Sequence, residues 1–227
     1  MTTRGPFVPE SLDRFADYEE ALERLHTRLA EGLERDEVFA AGRHIGLLQE
    51  TEEVTEEELD ILMAYAIYGF RRRDGRTAIE TCTREEVAAP EKDEDRQLRL
   101  ALPSLRFAML QPREFVPPYG LEVQDLLRDE PFFLFEPYLS ELEEKDRDII
   151  FCTWLLALPE FIITNSSLLI MAGARLDDLL HPLEASDSRL RSGGLTAFSQ
   201  LSPEQQSETI ALVIRILLEK GLLLQDT

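Results

Sequence analysis

The spacing of apolar residues divides this chain into a helical region, a strand-rich region and a second helical region. In the first third, apolar side chains recur every three or four residues, which is the period of an amphipathic helix. The clearest stripe consists of Leu12, Phe15, Leu22, Leu25, Leu29 and Leu33. Residues 106–171 carry short apolar runs, aromatic clusters and tight turns, which are typical of strands. The helical period returns after Gly173.

This pattern predicts an α+β fold. We expect a helical N-terminal third, a small and strongly bent antiparallel sheet or barrel in the middle, and C-terminal helices. The corresponding regions are 1–103, 104–172 and 173–227, and the pattern leaves open whether they pack as one domain. Within the first region, Thr55 and Glu58 predict a capping box at the start of the best-defined helix.

Turn residues separate five or six predicted strands in the middle region. These strands are 106–115, 121–127, 132–136, 149–158, 161–164 and 168–171. The last two are predicted to face each other as a hairpin across Asn165-Ser166-Ser167. The run 149–158 is apolar on both faces, so it is predicted to be a central strand covered by helix.

The middle region resembles a strand-rich module of uncharacterised bacterial proteins, some of which also carry a cysteine-rich SEC-C zinc motif. The resemblance covers residues 105–171 and follows from their order of motifs. These motifs are Arg106-Phe107, the run from Gly120 to Leu127, the run from Phe132 to Glu136, and the run from Asp148 to Leu156. Neither Cys82 nor Cys152 has a second cysteine nearby, so the zinc motif is absent and its metal-linked role does not transfer. The resemblance therefore implies a fold and no particular activity.

The charge of the chain changes the expectation for its partners. Its 227 residues contain 45 acidic and 24 basic side chains, which gives a net charge of −21. Such a surface repels nucleic-acid phosphates and anionic lipids and attracts cationic partners. The sequence therefore predicts a non-enzymatic interaction or accessory protein that binds a basic protein partner. The alternative explanation is that the charge only keeps the protein soluble. No signal peptide or membrane span is visible and only two cysteines are present, so we expect a cytoplasmic protein.

Two acidic clusters are the predicted docking sites for such a partner. The first lies between Glu50 and Asp60 around the predicted helix start, where the helix macrodipole also favours anions. The second is the loop from Glu141 to Asp148, just before the longest predicted strand. The predicted partner-binding residues are Glu52, Glu53, Glu57, Glu141, Glu143 and Glu144.

The alternative is an enzyme that uses carboxylates and histidine to bind a metal. Glu23 with His26, and Asp178 with His181, are each spaced by three residues, which places both side chains on one face of a helix. A di-iron site needs two such motifs of Glu and His and two further glutamates. The sequence also lacks the motifs of nucleophilic catalysis, so we predict no catalytic residue and no cofactor.

A second alternative is nucleic-acid binding through the dense basic patch Arg71, Arg72, Arg73 and Arg76. Aromatic residues of the strand region would then stack on bases. These residues are Phe132, Phe133, Phe135, Tyr138 and Trp154. Compensation of a helix C-terminus by the arginines, and packing of the rings in the core, are the favoured interpretations.

Overall fold

The structure is a computed structural model that describes residues 9–48, 54–82, 92–142, 148–165, 167–186 and 188–221. Its N-terminal helices are α1 (Pro9–Glu31), α2 (Arg35–His44), α3 (Glu56–Tyr68), α4 (Ala78–Cys82) and α5 (Asp93–Ala101). The strands are β1 (Arg106–Val116), β2 (Gly120–Asp125), β3 (Glu130–Phe135), β4 (Ile149–Ala157), β5 (Ile162–Thr164) and β6 (Leu169–Ala172). The C-terminal helices are α6 (Leu176–Ser186), α7 (Ser188–Gly193) and α8 (Pro203–Glu219).

The helix starts follow directly from local sequence. Thr55 Oγ1 accepts a hydrogen bond from the Glu58 amide at 3.2 Å, and the Glu58 carboxylate accepts one from the Thr55 amide at 2.9 Å. The predicted capping box of α3 is confirmed. Ser202 and Gln205 make the same reciprocal pair at the start of α8. Each box satisfies backbone N–H groups that have no partner within the helix.

The strands form an antiparallel sheet in the order β3-β2-β1-β4-β5, with β6 also paired to β4. The sheet is curled into a half-barrel, with helices before and after it in the chain, so the predicted α+β fold class is confirmed. A register shift between Pro112 and Glu114 interrupts the β1–β2 ladder, and such irregularities increase the local twist of a sheet. The rings of Phe135 and Phe161 lie 4.2 Å apart, which brings the two edges of the sheet together.

The predicted hairpin between the last two strands is wrong. Both β5 and β6 pair with the same edge of β4, where Thr164 lies opposite Leu155 and Leu169 opposite Cys152. Thr153 lies at the gap between these two ladders and donates a hydrogen bond to the Ser167 carbonyl at 2.8 Å. The chain therefore does not reverse here, because the polar connection bonds to β4 itself.

One hydrophobic cluster includes residues from all three regions of the chain. It contains Tyr18 of α1, Tyr65 of α3, Trp154 of β4 and Ile214 of α8. Every residue of β4 before Ala157 is buried, as the sequence predicted for a central strand covered by helix. Among the residues described, none of the helices combines the length and the apolar character needed to span a bilayer.

Candidate functional site

A cavity of about 550 Å³ lies where the C-terminal end of α3 and the following loop meet α4, β1, β4 and the first turns of α8. Its wall contains four arginines, which come from three separate parts of the chain: Arg71 and Arg76, Arg106, and Arg128. Glu80 is the one acidic residue among the wall residues that the structure describes. The charged side chains that line this cavity are therefore mainly cations, although the protein as a whole is strongly acidic.

The floor of the cavity is aromatic. The rings of Phe107 and Trp154 are 5.2 Å apart and meet edge to face, and Tyr68 lies 5.7 Å from Trp154. Phe198 completes the group at 6.4 Å from Phe107. These four side chains are almost entirely buried, so their packing holds the floor rigid. The cavity therefore combines an apolar floor with a charged wall.

Arg71 is held by an internal counter-ion. Its guanidinium donates to both carboxylate oxygens of Glu80, at 2.9 and 3.2 Å, and also to the Gly75 carbonyl. Glu80 in turn accepts from the Thr77 amide at 3.0 Å, which fixes it at the start of α4. This bidentate pair neutralises Arg71 and orients it along the wall.

Arg106 and Arg128 share a single carboxylate. Asp125, at the end of β2, is fully buried, and its Oδ2 is bonded by Arg106 and lies 3.6 Å from Nη1 of Arg128. Its other oxygen accepts from the Leu127 amide at 2.9 Å. Burial, together with the charge of Arg106, lowers the pKa of Arg128, whose Nη1 has no hydrogen-bond partner among the described residues. This part of the wall therefore holds two cations for one anion.

The predicted basic patch is divided by the fold. Arg72 turns away from the cavity and forms an ion pair with Glu37 of α2 at 3.1 Å, and Arg73 is exposed outside the cavity. Arg76 lines the cavity, is exposed, and has no ion pair or side-chain hydrogen bond within the described part of the chain. Arg71 and Arg76 thus join the wall, while their neighbours do not.

Glycine at the end of α3 allows the cavity wall to pack closely. A Cβ atom at Gly69 would lie 2.6 Å from the Tyr65 ring and 3.2 Å from Trp154. Ser207 of α8 donates a hydrogen bond to the Gly69 carbonyl at 2.7 Å, which joins the two helices at the wall. A larger residue would displace the aromatic floor.

The structure does not assemble either of the predicted metal sites within the described residues. His26 turns inward to hydrogen-bond the Tyr68 hydroxyl, and burial lowers its pKa to about 4, while Glu23 is exposed. Asp178 accepts from Arg175, and His181 is exposed. In the described ranges, no group of three or more histidine, cysteine or acidic side chains is arranged to bind a metal ion.

The predicted docking residues lie mostly outside the described residues. This holds for Glu52, Glu53, Glu143 and Glu144. Glu57 is exposed in the first turn of α3, and Glu141 ends the short 3-10 helix Pro137–Glu141. The acidic docking surface therefore stays a prediction.

Sequence reasoning missed the cavity, because three of its parts are distant in the chain. Arg106 begins one predicted strand, and Arg128 lies between two others. Their common partner Asp125 lies within the predicted strand 121–127. The only usable signal was an acidic residue within a strand, three positions before an arginine, since a buried strand carboxylate needs a cation.

The profile of a family of unknown function, DUF7986, matches residues 9–189. The chain belongs to this family. The match to DUF7986 includes the whole sheet and all four arginines of the cavity, and it ends before Phe198 and α8, which supply the rest of the lining. Neither the search of curated proteins nor the search of solved structures found a match.

Proposed function

We propose that this DUF7986 protein is a non-enzymatic binding protein whose cavity takes a small organic anion with an apolar body. The observation that carries the proposal is the position of four guanidiniums around an aromatic floor in a chain of net charge −21. Solubility does not require a cationic cavity. The carboxylates of Glu80 and Asp125 do not neutralise the four arginines of the cavity wall.

The chemistry of the wall favours an anion over a neutral ligand. Guanidiniums that are partly removed from water form strong, charge-assisted hydrogen bonds to carboxylate, sulfonate or phosphate oxygens. The ligand would also relieve the repulsion between Arg106 and Arg128, which share Asp125. The floor around Trp154 would exclude water from the apolar body of the ligand.

Trp154 is the only tryptophan of the chain and lies in the floor, so its fluorescence reports on the cavity directly. We expect benzenesulfonate to change this fluorescence in a saturable way and benzyl alcohol, a neutral analogue of similar size, to leave it nearly unchanged. Arg76→Ala should weaken the response to benzenesulfonate, whereas Arg73→Ala should not. Arg73 is a matched control because it is an exposed arginine of the same loop outside the cavity.

Equal responses to the anion and to the alcohol would contradict the proposal. So would equal losses of benzenesulfonate binding in Arg76→Ala and Arg73→Ala, because a general surface attraction would then explain the binding.

A second candidate function is the docking of a basic protein, and one feature of α3 supports it. Glu56, Glu57 and Asp60 are exposed and have no ion pair within the described residues, and they surround Leu59, which is 47% exposed. An apolar side chain among unpaired acids suits a cationic partner with an apolar contact.

Salt-sensitive capture of a basic protein from lysate tests this second function, and charge reversal locates the surface. Lysine at Glu52, Glu53 and Glu57 together, or at Glu141, Glu143 and Glu144 together, should weaken the capture without unfolding the protein. Undiminished capture by both triple variants would remove the docking hypothesis and leave the charge as a solubility feature.

A further inference from the structure

We infer, on the basis of the proposed anion-binding function, that the ligand is a phosphate monoester bound as its dianion by Arg76, Arg106 and Arg128. The preference for phosphate over other anions follows from the number of free donors, the charge balance of the wall and the apolar floor.

The unused donors of the wall exceed what one carboxylate can accept. Each guanidinium has five N–H donors. Arg76 uses none of its side-chain donors on another described residue, and Arg106 makes one side-chain hydrogen bond to the described residues, to Asp125. Arg128 approaches the same Asp125 oxygen without reaching hydrogen-bond distance. A carboxylate matches the fork of one arginine, whereas the three terminal oxygens of a phosphate monoester can be shared among three.

The charge of the wall matches a dianion. Four guanidiniums face two carboxylates, those of Glu80 and Asp125, so two positive charges are left over. Glu130 and Glu204 lie near Arg128 and Arg71 respectively, but both are exposed, where water and salt screen them. A phosphate monoester above its second pKa of about 6 carries close to two negative charges.

The pairing of each cation decides which arginines remain available to the phosphate. Arg71 is already paired in a bidentate way with Glu80. Arg106 is held both by Asp125 and by the face of Phe132, whose ring centre lies 5.5 Å from its guanidinium carbon. The uncompensated charge is therefore at Arg106, Arg128 and Arg76, and the phosphate is expected there.

The aromatic floor requires an organic ester and not free phosphate. A cavity of about 550 Å³ is far larger than a phosphate ion, and its floor is formed by Phe107, Trp154 and Phe198. Together with the more exposed Pro103, Leu105 and Pro203, these rings line the cavity with apolar surface that an aryl or similarly apolar group would cover. Inorganic phosphate would leave this surface in contact with water.

Calorimetric titration of the full chain with three probes tests the inference. Near pH 7.5, we expect phenyl phosphate to bind at least about tenfold more tightly than benzenesulfonate, and inorganic phosphate to bind more weakly than phenyl phosphate. At about pH 5, phenyl phosphate is mainly a monoanion, so its affinity should fall about tenfold. Benzenesulfonate keeps one charge throughout, so it controls for protonation of Glu80 or Asp125; no histidine is among the described wall residues.

Variants link the effect to the named arginines. Arg76→Ala should weaken phenyl phosphate binding about tenfold and reduce its difference from benzenesulfonate, while Arg73→Ala should match the wild type. Arg128→Ala should weaken phenyl phosphate binding more than Arg76→Ala does, and circular dichroism tests whether this variant folds. If the Arg128 variant unfolds, binding by Arg76→Ala still tests the inference, because Arg76 is exposed.

The outcomes separate the two proposals. If phenyl phosphate and benzenesulfonate bind equally and neither depends on pH, the cavity binds organic anions and the preference for phosphate is wrong. If inorganic phosphate binds as tightly as phenyl phosphate, the assignment to an ester is wrong. If none of the three probes binds, the proposed function itself fails.

Discussion

Two buried carboxylates of the same half-barrel show opposite ways of accommodating a charge. Asp125, at the end of β2, is fully buried and lies next to the guanidiniums of Arg106 and Arg128. Glu136, just after β3, is 7% exposed, and its described hydrogen-bond partner is the hydroxyl of Thr164, at 2.8 Å. Asp125 has two guanidiniums for one carboxylate, whereas the described contacts of Glu136 include no positive charge.

The surroundings of Glu136 make its charged form unfavourable. Burial raises its pKa to about 7, the Thr164 hydrogen bond opposes this shift, and the nearby Glu19 adds to it. Burial also raises the pKa of Glu19, although the Tyr138 hydroxyl donates a hydrogen bond to it. Burial therefore favours the protonated form of Glu136 in the folded protein, against the Thr164 hydrogen bond.

The comparison teaches that the net charge around a buried carboxylate decides its role. An excess of positive charge is available for binding, whereas an excess of negative charge must be removed within the fold. At Asp125 the surplus is positive and faces a cavity, so it is available to an anionic ligand. At Glu136 the excess charge is negative and no described cation contacts it, so protonation removes it.

Removal of the Asp125 carboxylate should have the largest effect. Asp125→Ala leaves Arg106 and Arg128 partly buried without a counter-ion, and we expect a loss of about 3 kcal/mol in the free energy of unfolding. Urea denaturation measures this loss. Phenyl phosphate should stabilise the variant more than the wild type, because the ligand replaces the missing anion. Equal stabilisation of both proteins would mean that these arginines do not form the anion site.

Glu136→Gln should remove a pH-dependent penalty of about 2–3 kcal/mol. Because its native pKa of about 7 exceeds its unfolded value, the native state binds the extra proton, and wild-type stability should fall as the pH rises from about 4.5 to about 7. The variant should be more stable than the wild type at about pH 8 and close to it at about pH 4.5. Urea denaturation across this range, with Glu57→Gln as an exposed control, measures the difference. Parallel stability profiles would show that Glu136 is not the responsible group.

Glu80→Gln should raise the affinity of the cavity, because Arg71 then loses its charged partner. We expect phenyl phosphate to bind roughly three- to tenfold more tightly, with a stability change below about 1 kcal/mol, since glutamine can still accept from the Thr77 amide. Calorimetry and urea denaturation measure the two quantities. Unchanged affinity would mean that the net positive charge of the wall does not control binding.

Glu57→Ala should have the smallest effect on stability. Its carboxylate is exposed in the first turn of α3, where the macrodipole contributes about 0.5 kcal/mol. Thermal denaturation should detect a small loss, and phenyl phosphate binding should be unaffected. A large loss would mean that Glu57 has a tertiary partner.

The local parts of the fold were predictable from sequence, because they depend on neighbours in the chain. The capping box of Thr55 and Glu58, the position of β1, and the burial of β4 each follow from residues within about a dozen positions of one another. The predicted hairpin failed for the opposite reason. Asn165 and its neighbours signalled a chain reversal, but hydrogen bonds to Thr153 and Trp154 of β4 stabilise a continuing path along one edge.

The sequence by itself determined the α+β fold class, the helix starts and the excess of negative charge, since these depend on composition and local spacing. Only the tertiary structure decided where the positive charge collects. The pairing of β1 with β2 brings Arg106 to Asp125, and the turn after β2 adds Arg128 to the same carboxylate. The loop after α3 then contributes Arg76 to the same wall. Electrostatic interactions act through distance in space, so no pattern of spacing along the chain could have shown that these cations surround one cavity.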